Sequence, residues 1–122
     1  MPIDKVQSVP ILFCIFNRID TTQQVFNRIR DIKPSRLYVS ADAPRSCKQG
    51  EVERCLETRE IIKQIDWNCE VKTLFQEINQ GCKKAISQAL TWFFEHEEYG
   101  IILEDDCLPD ISFFSFCEEL LI

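Results

Sequence analysis

The run from Val9 to Phe16, VPILFCIF, contains no polar side chain. It is far shorter than the roughly 20 residues that span a membrane. A short, continuous apolar run is the pattern of a strand buried on both faces, as in parallel sheets. Parallel neighbours cannot be joined by a tight hairpin. Each needs a crossover, usually a helix. This one run therefore predicts a chain that alternates strand and helix.

The rest of the sequence has that alternation. Asn17-Arg18 closes the first strand. Asp20 reads as the N-cap of a helix, with Gln23 three residues on. Val25, Phe26, Ile29 and Ile32 give the helix an apolar face, and Lys33-Pro34 stops it. Arg36 to Ala41 (RLYVSA) is a second strand ending at Asp42, and Ala43-Pro44-Arg45 is a loop. Ser46 and Gln49 form a capping box for a helix running to about Asp66, with Cys55, Ile61, Ile62 and Ile65 near one side. Cys69 to Phe75 (CEVKTLF) alternates like a less buried, edge-like strand. Gln76 to Gly81 is a loop. Cys82 to about His96 is a helix with Ala85, Ile86, Ala89, Leu90, Phe93 and Phe94 facing the core. Tyr99 to Leu103 is a fourth strand. Asp110 caps a last helix with Phe113, Phe114, Cys117 and Leu120-Leu121 inward. The expected fold is α/β, a mostly parallel Rossmann-like sheet flanked by helices, in one domain over residues 1–122.

Composition narrows the function classes. The 122 residues are 45% hydrophobic and 28% charged, enough for a real core. Twenty acids against 14 bases give a net charge of −6, which argues against a nucleic-acid partner. The seven cysteines contain no C-x-x-C pair, and several sit in apolar runs. They read as reduced thiols in a cytoplasmic protein. The amino-terminal segment lacks the layout of a signal peptide. With three glycines, Gly50, Gly81 and Gly100, there is no Gly-rich phosphate loop.

In open α/β sheets ligands bind beyond the carboxyl ends of the strands. Here those ends carry Asn17-Arg18, Asp42, the Gln76 to Gly81 loop, and the triplet Glu104-Asp105-Asp106 in IILEDDCLPD. Consecutive carboxylates at a strand end suit a hard divalent cation, which would hold a diphosphate in an otherwise acidic site. Side chains alternate along a strand, so all three acids reach one ion only if the chain bends. The plain alternative is a solvated acidic turn at a helix N-terminus.

The segment IILEDDCLPDISFFSFCEELL resembles the acidic motif and following helix of GT-A glycosyltransferases, closest to a bacterial nucleotide-sugar transferase group related to animal N-acetylglucosaminyltransferase I. The resemblance extends to PILFCIFNR, YVSAD and INQGCKKAISQALTWFF in order, and covers nearly the whole chain. It implies that Asp106 coordinates Mn²⁺ or Mg²⁺ bridging the diphosphate of a nucleotide sugar, with a UDP-sugar expected. It implies Asp105 near the ribose, Glu104 near the donor sugar or ribose, and Asp42 hydrogen-bonded to the base. Asn17 and Arg18 would pack near the base and phosphates, and Asn79, Gly81 and Lys83 would line the nucleotide side. The acceptor would be a glycan, lipid or protein. In the resembled family an acceptor-binding half follows the acidic motif. The expectation is that this chain is the donor-binding half, with an exposed sheet edge through which copies could associate, and no residue is assigned as the base.

Each assignment has a plainer reading. Asp42 caps the Ala43-Pro44 turn; Arg18 is a surface cation beside Asp20; Asn79 and Gly81 form a turn before a helix. His96 reads as a surface residue, and Trp67 and Trp92 as packing aromatics. A non-catalytic nucleotide-sugar or protein-binding module is the alternative function. A phospho-acceptor receiver domain would need paired acids where Asn17-Arg18 stands. A sugar-phosphate nucleotidyltransferase would need a Gly-rich loop where FNRIDTT stands.

Overall fold

The computed structural model of the chain describes residues 8–109 and 111–121. Its strands are β1 (Ile11–Ile15), β2 (Arg36–Ala41), β3 (Glu70–Phe75) and β4 (Ile101–Glu104). Its helices are α1 (Ile19–Ile32), α2 (Glu51–Glu60), α3 (Cys82–His96) and α4 (Ile111–Leu121), and a 3-10 turn, Ile61–Gln64, follows α2. The strands form one all-parallel sheet in the order β3-β2-β1-β4. The fold is thus the expected α/β sheet with helical crossovers.

All five residues of β1 are buried, because neighbouring strands cover both its edges and helices cover both its faces. On one face Ile11, Phe13 and Ile15 pack with Leu37, Val39 and Leu103, under Val25, Phe26 and Ile29 of α1 and Phe114 of α4. On the other, Leu12, Cys14 and Tyr38 meet Ala89 and Phe93 of α3. Each large side chain buried this way is worth about 1.5–3 kcal/mol. β3 is the expected edge strand and none of its residues is buried, though its exposure does not strictly alternate.

α1 ends where Lys33 enters the left-handed region at φ 53°, its N–H returning to the Ile29 carbonyl at 2.9 Å. Pro34 then prevents continuation. At the other end of the sheet Arg36 donates to Glu97 at 2.8 and 3.2 Å, and the Tyr38 hydroxyl donates to Glu97 at 2.6 Å. This clamp fixes the C-terminus of α3 to the start of β2, away from the strands' carboxyl ends. Trp67 packs partly buried on the core and donates from Nε1 to the Pro34 carbonyl. His96 is exposed.

Several expected details differ. α1 begins at Ile19 after Arg18, so Asp20 lies inside the first turn and complements the helix dipole instead of capping it. α2 starts at Glu51, after Gly50 in a left-handed conformation (φ 76°), so Ser46 and Gln49 form no capping box. The chain tightens to 3-10 geometry at Ile61 and leaves it after Gln64. β4 starts at Ile101 and includes Glu104. Phe94, Phe113 and Leu120 are exposed, since these helices turn narrower faces to the sheet than their sequences allow. Asp110, the expected cap, and the side chain of Leu121 lie outside the described residues. Among the described residues no helix is long and apolar enough to cross a membrane.

Candidate functional site

Parallel strands all end at one rim, and here that rim is a cleft of about 610 Å³. β1 supplies its middle through Phe16, Asn17 and Arg18, β2 one end through Asp42 and Arg45, and β4 the other through Glu104, Asp105 and Asp106. Asn79, Gly81 and the first turn of α3 close it from above. The Cys14 thiol and Ser40 form part of the floor. Burial pushes the Cys14 pKa up to about 11, so this sulfur stays a neutral thiol and is no nucleophile.

The acidic triplet leaves the strand on a turn. The Cys107 N–H donates to the Glu104 carbonyl at 3.3 Å, with Asp105 and Asp106 between them. This supplies the bend that an extended strand lacks. Oxygens of Glu104 and Asp106 and the sulfur of Cys107 lie within 4.8 Å of one another, all exposed. Asp105 is turned partly inward, and burial, followed by the neighbouring Asp106 charge, raises its pKa. Arg18 reaches across from β1 to Asp106 at 3.5 Å, which gives it a partner other than Asp20.

Asp42, at the end of β2, is buried and fully engaged. One oxygen accepts from the N–H groups of Ala43 and Gln80, each at 2.8 Å. The other accepts from Asn79 Nδ2 and the Gly81 N–H, each at 3.1 Å. The carboxylate therefore caps its own turn and also holds the loop before α3. Gly81 sits at φ 86°, a conformation that a side chain would strain. Arg59 of α2 ties the same rim from behind, donating to the Asp42 and Gln76 carbonyls at 3.0 and 3.1 Å.

Of the expected site residues, Asn17, Arg18, Asp42, Asn79, Gly81, Glu104, Asp105 and Asp106 line this one cleft. Lys83 does not: it is exposed on the first turn of α3, while its neighbours Cys82, Ala85 and Ile86 line the wall. The structure adds Arg45 and Glu51, which the sequence did not single out. Glu51 is completely buried at the start of α2. It accepts from Arg45 Nη2 at 2.6 Å, Arg45 Nε at 3.0 Å, the Arg45 N–H at 2.7 Å and Asn17 Nδ2 at 2.9 Å. Hydrogen bonding to the Arg45 guanidinium holds its pKa down to about 2. One carboxylate thus pins the end of β1 and the loop after β2. The only trace in sequence is an acid directly after Gly50, which is also what an ordinary helix start looks like.

A second hollow, about 490 Å³, lies between α2 and the end of β3, with Val52, Leu56, Arg59 and Phe75 in its lining. It gathers no cluster of carboxylates or thiols. No protein-family model, curated protein or solved structure matches the chain.

Proposed function

We propose that the cleft binds a nucleotide-diphosphate sugar, expected to be a UDP-sugar, through a divalent cation, and serves glycosyl transfer to an acceptor hydroxyl. One observation supports a cation-bridged ligand: the ends of three strands and one loop meet in a single cleft, with a pair of close carboxylates, Glu104 and Asp106, at one end. The nucleotide sugar and the transfer reaction come from the resemblance of the acidic motif.

The donor set fits the group. Carboxylate oxygens suit hard cations such as Mn²⁺ and Mg²⁺. The exposed Cys107 thiol offers a soft sulfur donor, which suits these hard cations poorly. Asp106 and Glu104 would hold the ion, and Asp105 would face the ribose side. The Arg18–Asp106 pair is exposed on both sides, a class of pair worth about 0–1 kcal/mol. Arg18 can therefore leave Asp106 at little cost and turn to a phosphate oxygen. A bound cation would neutralise charge on the departing nucleoside diphosphate. Asn17, held by Glu51, fixes the floor on which the nucleoside lies.

Calorimetric titration of UDP and UDP-sugars, with Mn²⁺ and with EDTA, tests the reading. Binding is expected to need the metal and to fall at least tenfold in Asp106→Ala, the scale of losing a charged contact. Metal-independent binding, or binding untouched by Asp106→Ala, would remove the acidic turn from the site.

A further inference from the structure

The strand order sets out the cleft. The acids stand on β4, β1 lies in the middle, and Asp42 and Arg45 follow β2. Two strand spacings, about 10 Å, separate the two ends. A diphosphate held at the acids therefore places its base near Asp42 and Arg45. Asp42 has no capacity left there. A carboxylate offers about four acceptor sites, and four donors already fill them. Accepting a base N–H would break the loop before α3.

Arg45 is in the opposite condition. Its Nε and Nη2 are bound to Glu51. No hydrogen bond engages its Nη1 among the described residues, and the side chain is about half exposed on the cleft. The guanidinium lies 5.7 Å from the centroid of the Phe16 ring, which lines the neighbouring middle of the cleft. Guanidinium only donates, so what it recognises must be an acceptor. Glu51 is completely buried and holds the fork from below through two of its nitrogens.

We infer, on the reading of the cleft proposed above, that Arg45 selects a base by the keto oxygen O4 of uracil or O6 of guanine, the position at which cytosine and adenine carry an amino group, and that Glu51 is its positioning residue. Asp42 organises the loop and does not read the base. An amino group would set donor against donor, leaving a partly buried pair unsatisfied.

The test titrates UDP, CDP, GDP and ADP, each with Mn²⁺, into the full chain. Wild type is expected to prefer UDP over CDP and GDP over ADP by roughly tenfold, the scale of one good side-chain-to-base contact. Arg45→Lys keeps a charge for Glu51 but loses the fork, and should bring both ratios near parity. A double variant, Arg45→Met with Glu51→Gln, leaves no buried charge unpaired and should do the same. Glu51→Gln alone should lower the ratios while metal-dependent UDP binding persists, a change that loss of fold would not produce. Asp42→Asn should weaken all four nucleotides alike. Ratios retained in both Arg45 variants, or lost in Asp42→Asn instead, overturn the inference while leaving the proposed donor site intact. Absence of metal-dependent binding of any nucleotide to wild type overturns both.

Discussion

Glu51 joins stability to the site at the scale of one residue. Its carboxyl titrates near 2 in the folded chain against an ordinary 4.5. A depressed carboxyl contributes stability fully above its unfolded value, and that contribution is lost as pH falls toward the folded one. Thermal melts of wild type and Glu51→Gln should therefore differ by roughly 5 °C or more near neutrality. The gap should close between about pH 4.5 and pH 2, and a gap independent of pH would show that the charge is not what holds the loop. Tyr38 obeys the same rules without touching the cleft. Burial, then its bond to Glu97, pushes its pKa up to about 12. Tyr38→Phe removes one charge-assisted hydrogen bond while Arg36 keeps Glu97 paired, and should cost about 1.5 kcal/mol in urea unfolding.

Elements are governed by backbone geometry as much as by side chains. The exposed Lys33 ends α1 at φ 53°, which costs a residue with a Cβ roughly 1 kcal/mol. Lys33→Gly should raise stability by about 0.5–1 kcal/mol, and a decrease in the urea midpoint would show that the lysine side chain matters more than its backbone. Gly100 is constrained for a different reason. A Cβ there would sit on the Phe93 ring and 2.9 Å from the Pro10 carbonyl oxygen, which accepts the Ile101 N–H. Gly100→Ala should cost about 1–3 kcal/mol through overpacking, because backbone cannot move aside where β4 joins β1. The sequence of β4 gives no hint of this contact.

For the whole molecule, ligand and fold are linked. If the cleft binds as proposed, metal and UDP together at 100 times the dissociation constant should stabilise the chain by about 2.7 kcal/mol. That gain should appear as a raised melting temperature, vanish with EDTA, and be absent from Asp106→Ala. Stabilisation by Mn²⁺ alone, unchanged by UDP, would leave a cation site without a nucleotide site. The layout that makes this measurement meaningful is simple: one parallel sheet puts every strand's carboxyl end on the same side.

Local pattern determined much of this protein. The apolar run of β1, the face of α1, the limits of β2 and α3, and the collection of polar residues at strand ends all follow from side-chain periodicity. Periodicity reflects burial, so it is readable wherever burial decides. The placing of Asn17, Asp42 and Asp106 on one side of the sheet was foreseeable because parallel strands share the direction of their carboxyl ends. What tertiary structure decided was the use of each polar group. Asp42 is full because a distant loop folds onto it, Arg18 turns to Asp106, and Lys83 stays outside. Glu51 is buried and paired where the loop after β2 brings Arg45 to it and the end of β1 brings Asn17. A hydrogen bond between residues far apart in sequence leaves no period in it, so these partners are fixed by packing alone.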